Sequence, residues 1–260
     1  MTCKICGNND ITKLLTTKVL NKYDVQYLRC PNCEYIFTEE PYWLKEAYQR
    51  AINVSDTGLL DRNMNFANTV SILLYFFYGK KGQYLDYAGG FGVFTRLMRD
   101  IGFNFYWKDP YCENILAKGF EYDPDKQKNI QLLTAFEVFE HLSNPIDEIE
   151  NMLKISKSIL LSTELIPEPV PKQDDWWYYA FEHGQHISFY SLKTFYTIAE
   201  KLNLRFYAFH GLYMLTEKKI NFTILKILLN FRKIGLHHLI KKVMKSKIWD
   251  DYLLTKNMHS

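Results

Sequence analysis

The segment Tyr84-Leu85-Asp86-Tyr87-Ala88-Gly89-Gly90-Phe91-Gly92-Val93-Phe94 constrains this chain more than any other stretch. An apolar run reads as a buried strand, the glycines as a tight turn, and the pattern after them as a helix whose first N–H groups are free to meet a ligand. Strand and helix signals then alternate. Strands are predicted at Gln83 to Tyr87, Asn104 to Lys108, Asn129 to Phe136 and Ser158 to Ser162, and helices at Gly92 to Gly102 and Asn144 to Ile155. Strands spaced by helices predict an α/β fold, a doubly wound, Rossmann-like parallel sheet with helices on both faces. Helical character is expected from about Pro41 to Tyr78. Three prolines between Ile166 and Pro171 break the pattern ahead of Trp176-Trp177-Tyr178-Tyr179. Ser191 can cap a helix from Leu192 to Leu202, and Leu204 to Thr216 reads as a terminal strand pair.

Four of the five cysteines lie in the first 40 residues, as Cys3-Lys-Ile-Cys6 and Cys30-Pro-Asn-Cys33. Two residues between thiolates let a tight turn bring both sulfurs to one ion, and Gly7 can take the backbone conformation such a turn favours. Two such pairs supply the four ligands of a closed, structural zinc site. The alternatives are unrelated cysteine pairs or a redox motif, but redox pairs usually come singly. The lone Cys112 reads as a partly buried thiol. Three regions follow: a zinc-binding module at 1–40, a main domain at 41–217 and an extension at 218–260.

The N-terminus has no apolar run of the kind a secretory signal needs, and the longest uncharged apolar stretch, Thr69 to Tyr78, is half of a bilayer span. A cytoplasmic location is the expectation. Apolar residues make up 47% and aromatics 16% of the chain, which excludes a disordered protein. The net charge of +3 does not call for a polyanionic partner. Nine Lys or Arg and no Asp or Glu fall between Lys218 and Lys247. That stretch, divided by Gly235, reads as two basic amphipathic helices that pack on the domain or on a second subunit in a homodimer. Peripheral membrane contact is the lesser alternative.

Two acids flank the glycine turn in register. Asp86 ends the first strand, where a carboxylate can meet a cationic ligand group, and Asp109 closes the next strand, where it can accept from both hydroxyls of a ribose. A dinucleotide site would want a third small residue where Thr95 stands and has no use for Asp86. The pair therefore favours S-adenosylmethionine over NAD. These residues resemble class I S-adenosylmethionine-dependent methyltransferases: Leu85 to Gly92 is similar to their first motif, with Ala88 where Gly is usual, and Asp109 matches the ribose-binding acid. Thr134-Ala-Phe-Glu-Val-Phe-Glu-His-Leu-Ser-Asn-Pro145 resembles their fourth-strand segment. The resemblance spans about Gln83 to Thr216. It implies a cofactor site of Asp86, Ala88, Gly89, Gly90, Gly92, Asp109 and Phe136.

Catalytic groups are expected in loops beyond the fourth and fifth strands. His141, Glu164, His183 and His186 lie there. Methyl transfer from a sulfonium needs an aligned acceptor and a base for its proton, a task suited to histidine. The stretch Glu182-His183-Gly184-Gln185-His186-Ile187-Ser188-Phe189-Tyr190-Ser191 resembles a pattern of nucleotide-sugar methyltransferases, which also carry a four-cysteine zinc module. The resemblance implies His186 as base, supported by Gln185, which stands where that family has Glu, and by His183, which stands where it has Tyr; His141, after the fourth strand, is a further catalytic candidate. A structural role for each histidine remains the alternative, and Trp176 to Tyr179 reads as a lid or a sugar-stacking surface. The large C-terminal domain of the sugar C-methyltransferases is missing, which favours O-methylation of a sugar or nucleotide-linked sugar in surface polysaccharide synthesis. A zinc-containing ribosomal RNA methyltransferase is the second reading. Its positive charge would sit beside the active site rather than at the C-terminus. The third is a non-catalytic scaffold, kept open by Ala88 and Gln185.

Overall fold

The structure, a computed structural model, describes residues 1–49, 56–173 and 175–256. The helical expectation between Pro41 and Tyr78 falls partly on 50–55, which lie outside the described residues.

Two sheets form. One has the order β1-β2-β3-β8, from β1 (Thr12–Val19), β2 (Tyr23–Arg29), β3 (Ile36–Thr38) and the two-residue β8 (Ser188–Phe189). The other has the order β5-β4-β6-β7-β10-β9. Its strands are β4 (Gln83–Tyr87), β5 (Asn104–Lys108), β6 (Ile130–Phe136), β7 (Ser158–Ser162), β9 (Arg205–Phe209) and β10 (Leu212–Thr216). β4 runs parallel to β5 and β6, while β9 and β10 pair antiparallel, so the expected parallel sheet is a mixed one. A short connection such as His210-Gly211 can only reverse the chain, which is why the last pair is antiparallel.

The chain sorts into two compact units: Met1–Asn53, Phe136–Lys154 and Leu161–Glu217 in one, Val54–Ala135, Ile155–Leu160 and Lys218–Ser260 in the other. These cut across the linear division at 40 and 217. In the first unit, strand β8 pairs with β3 through Ile36↔Phe189 and Phe37↔Ser188, so the cysteine-bearing segment is built into a larger body. Its core joins Val19, Val25, Tyr27, Ile36 and Trp43 to Trp176, Tyr178, Tyr179, Ile187 and Phe189. Helices α1 (Leu44–Ala47) and α4 (Pro145–Ile155) precede α5 (Leu192–Lys201), which starts at Ser191, whose side chain accepts from the Thr194 N–H while the Thr194 hydroxyl accepts from the Ser191 N–H, a reciprocal cap.

In the second unit, α2 (Leu59–Leu73) packs on α3 (Val93–Ile101). Among the described residues, the C-terminal stretch forms the two expected helices on either side of Gly235, α6 (Phe222–Asn230) and α7 (Leu236–Val243), and a third beyond Lys247, α8 (Ile248–Lys256). They pack on their own unit. Arg99 donates two bonds to Asp251, at 2.6 and 2.8 Å, and Arg232 donates to Asn65 and Thr69. A lone buried guanidinium would be costly, so the two-fold pairing with Asp251 fixes α8 against α3. Among the described residues, no helix is long and apolar enough to cross a membrane.

Candidate functional site

The glycine turn after β4 is locked by its own neighbours. Asp109 Oδ2 accepts from the Gly90 N–H at 2.9 Å, and its Oδ1 accepts from the N–H groups of Tyr111 (2.7 Å) and Cys112 (3.0 Å). The Trp107 indole donates to the Gly90 carbonyl at 2.9 Å. The segment after Asp109 folds back, with Ile115 and Leu116 donating to the Phe91 carbonyl. A Cβ on Gly89 would lie 2.7 Å from Asp86 Oδ2 and 2.8 Å from the Trp107 ring, so only glycine fits there. Ala88 has φ +53°, a conformation glycine adopts freely and alanine does not, so the departure from the usual glycine is met as backbone strain.

Asp86 is buried, and both carboxylate oxygens are engaged: Thr95 donates to Oδ2 at 3.0 Å and Thr134 to Oδ1 at 3.1 Å. Burial, with a smaller push from Asp109, raises its carboxyl to about 7 despite the two hydroxyls. The acid thus ties β4 to α3 and β6, a role its place in the sequence does not announce. Phe136 is the half-buried last residue of β6. At this strand end Asp109 already accepts three bonds, which leave about one lone pair of four, so it can accept from one hydroxyl of an adenosyl ribose and not from both as its position suggested.

In the first unit the four cysteine sulfurs lie within 4.8 Å of one another, with Cys3 and Cys33 at 3.5 Å and Cys6 and Cys30 at 3.5 Å. Sulfurs on one zinc at about 2.3 Å stand roughly 3.8 Å apart, so the donor set fits that ion. The contact with Cys33 lowers Cys3, while the same contact and burial raise Cys33, so without a metal the pair shares one proton. The fifth cysteine, Cys112, is pushed up to about 11 by burial and by Asp109, the opposite of a nucleophile's setting.

The histidines gather at the ends of two segments far apart in sequence. His141 closes a short turn at Phe139–His141 after β6, and His183 and His186 lie ahead of β8. Their rings form a chain, with centroids 5.0 Å apart for His141 and His186 and 5.1 Å for His183 and His186. Main-chain bonds hold them: Ile187 donates to the Glu140 carbonyl at 2.8 Å, and Thr38 of β3 donates to Ile187 at 3.0 Å. Gly184 makes the loop possible. Its φ is +66°, and a Cβ would lie 2.5 Å from Val19 Cγ1. Burial lowers His141 to about 4, against the opposing pull of the Gln185 carbonyl and Glu137. It lowers His186 well below its ordinary value, with His141 adding to the effect, and lowers His183 in the same direction.

Two expectations are modified. The Gln185 amide donates to the Ala47 carbonyl at 2.9 Å, so its side chain holds the loop onto the N-terminal segment, and its carbonyl, not its side chain, meets His141. Trp176, Tyr178 and Tyr179 are buried in the core, which leaves Trp177, 77% exposed, as the one member of that run open to solvent. Glu140 has no expected role from sequence, yet it is fully buried beside His141, with 4.0 Å between Oε1 and Nε2. Glu137 is a similar case. It has φ +52° and accepts from the Ser162 hydroxyl at 2.6 Å, tying the end of β6 to the end of β7. The spacing Glu137-x-x-Glu140-His141 is the signal that could have found them, masked by its place within a motif that already had a meaning.

The family described as "Methyltransferase domain" matches residues 62–208, more than half of the chain. Among solved structures, the plantazolicin methyltransferase BpumL, in complex with a monoazolic desmethylPZN analog and SAH, is similar at 13% identity and a TM-score of 0.50, over 77% of this chain and 87% of its own. An O-methyltransferase family 2 protein from Planctomyces limnophilus, in complex with apigenin, is similar at 13% identity and a TM-score of 0.42, over 68% of this chain and 65% of its own. Human N-acetylserotonin methyltransferase, in complex with SAM, is similar at 12% identity and a TM-score of 0.44, over 68% of this chain and 66% of its own. The chain thus spans just under two thirds of the latter two proteins. No curated protein matches it.

Proposed function

We propose that this chain, which belongs to the methyltransferase-domain family, transfers a methyl group from S-adenosylmethionine to a hydroxyl of a small-molecule acceptor, with a sugar or nucleotide-linked sugar of surface polysaccharide synthesis as the substrate class. The observation that carries the reading is the coexistence, in one chain, of the Asp109-braced glycine turn and the His141, His183, His186 cluster. S-adenosylmethionine supplies the methyl group when bound. Asp109 and the turn from Ala88 to Gly92 would hold its ribose and methionine portion. Asp86 shapes the turn from behind through Thr95 and Thr134.

The acceptor's oxygen must lose a proton as it takes the methyl group. His186 gives Nδ1–H to the Tyr178 carbonyl at 2.7 Å, which leaves the Nε2 lone pair as the proton acceptor. His183 and His141 flank it. The four thiolates would bind one structural zinc, closed to substrate, whose work is to hold the module that carries β3 against β8. The sugar assignment rests on the resemblance of the loop from Glu182 to Ser191 and on the exposed Trp177 ring, a face suited to stacking on a sugar.

One paired measurement tests the reading. His186→Asn should leave S-adenosylmethionine affinity near the parental value while turnover falls by about 10²–10⁴. Asp109→Ala should weaken the cofactor by roughly tenfold or more, since a hydrogen bond to a charged group contributes about 1.5–3 kcal/mol. Calorimetry showing no S-adenosylmethionine binding to the parental protein would sink the function and favour a scaffold. Unchanged affinity in Asp109→Ala would refute the cofactor assignment.

A further inference from the structure

Glu140, His141 and His186 bring a carboxylate oxygen and two imidazole nitrogens within 4.8 Å of one another. Each ring makes a second bond of a particular kind. His141 Nδ1 meets the Gln185 carbonyl at 3.1 Å, and His186 Nδ1 meets the Tyr178 carbonyl at 2.7 Å. A carbonyl oxygen only accepts, so Nδ1 carries the proton in both rings and Nε2 keeps its lone pair. Metal-binding histidines are oriented in this way, by an outer hydrogen bond that fixes the tautomer and the ring plane. The Nε2 of His141 lies 4.0 Å from Glu140 Oε1, and the two rings stand nearly edge to face, at 78°. The Glu140 side chain is fully withdrawn from water, where a carboxylate is stabilised by a neighbouring cation.

We propose that Glu140, His141 and His186 form a binding site for a divalent transition-metal ion. Two imidazoles and one carboxylate suit manganese, iron or zinc, whereas magnesium and calcium favour sets made of oxygen alone. Bonds of about 2.0–2.2 Å put ligand atoms roughly 3–4 Å apart, so modest side-chain rotations close the site. Three protein ligands leave positions open, unlike the four-thiolate cluster in the same unit, and an acceptor hydroxyl oxygen is the class of ligand those positions would take. That last role rests on the proposed methyl transfer; the binding of the ion does not. An ion here occupies the lone pair that a metal-free His186 would use as base, so metal content decides which role that atom has.

The test uses the full chain with zinc in its cysteine cluster, freed of weakly held ions and titrated with Mn(II). Manganese competes poorly for thiolates, so it reports the nitrogen and oxygen site. Calorimetry should find one Mn(II) per chain, and electron paramagnetic resonance should show nitrogen couplings from two imidazoles. Glu140→Gln and His186→Asn should each weaken Mn(II) at least tenfold while zinc content and S-adenosylmethionine affinity hold. Absence of saturable Mn(II) and Co(II) binding, binding without imidazole couplings, or binding undiminished in both variants overturns the site. Should both variants lose their zinc through misfolding, the couplings in the parental protein decide alone. A protein that binds S-adenosylmethionine but no metal would retain the methyl-transfer reading, and one that binds Mn(II) but no S-adenosylmethionine would retain only the site.

Discussion

The glycine turn and the histidine cluster are built on opposite principles. Apart from Thr134 on β6, the groups that brace the turn, from Asp86 through Trp107 and Asp109 to Leu116, fall within about thirty residues of chain, and backbone groups take part in most of their bonds. The histidine cluster draws on three distant stretches: Thr38 and Ala47 near the N-terminus, Glu140 and His141 after β6, and Tyr178 to Ile187. A site closed by local bonds tolerates damage elsewhere. One assembled from remote segments depends on whatever holds those segments, here the cysteine cluster and the strand pairing from β3 to β8.

The contrast is broken most directly at the cysteines. About one zinc per chain is expected in anaerobically prepared protein, and structural zinc contributes on the order of 10 kcal/mol to the fold it closes. Cys30→Ser should release the ion, loosen residues 1–40 and carry the loss into Ile187 to Phe189. Hydrogen exchange should then speed up at the Ile187 amide, whose partner is the Glu140 carbonyl, while S-adenosylmethionine affinity changes little. Full protection at Ile187 in the zinc-free variant would show that the histidine cluster stands without the module, and its dependence on remote segments would fail.

A second test, of intermediate size, lies in the turn. Asp86 is raised to about 7 in the folded chain by burial, against an ordinary value near 4 in the unfolded chain. The neutral acid is the form the fold favours. Its contribution to stability is therefore fully present below about pH 4 and is lost as the pH rises through about 7. In the ligand-free protein, denaturant titrations should show this fall, on the order of a few kcal/mol by pH 8, and Asp86→Asn should flatten it. If the parental and Asp86→Asn proteins keep the same pH dependence, the carboxyl is not held neutral and the turn is less dry than its burial indicates.

The smallest effect sharpens the same comparison. Ala88 in its left-handed conformation costs about 1–2 kcal/mol, of which glycine's extra unfolded-state freedom would return about 0.4–1 kcal/mol. Ala88→Gly should thus stabilise the chain by about 0–1.6 kcal/mol, with cofactor affinity held or improved. A clear drop in Tm would mean that the Ala88 methyl packs favourably and outweighs its backbone strain.

Much of the second sheet is legible in the amino-acid pattern. The strands at 83–87, 104–108 and 158–162 match their predicted ends, because short apolar runs bounded by glycine or charge have few other ways to be satisfied. The cap at Ser191 and the terminal pair are legible for similar local reasons. Residues outside such windows are not. α8 holds to its unit through Asp251 and the arginines of α3, and nothing in the pattern of 248–256 announces that partner. Glu140 is a further case, since a carboxylate's burial depends on what covers it.

By itself the sequence determined the periods of strand and helix, the glycine turn with its two acids, and the pairing of four thiols, all of which depend on spacing along a few tens of residues. Tertiary structure decided that Asp86 faces two threonine hydroxyls, that Gln185 reaches Ala47 and not a neighbouring histidine, and that His186 comes within 5.0 Å of His141 across 45 positions of sequence. The physical reason is the same in each case. Torsional preference and hydrophobic period act between near neighbours, whereas burial, desolvation and the direction of a hydrogen bond are set by groups that only the folded chain brings together.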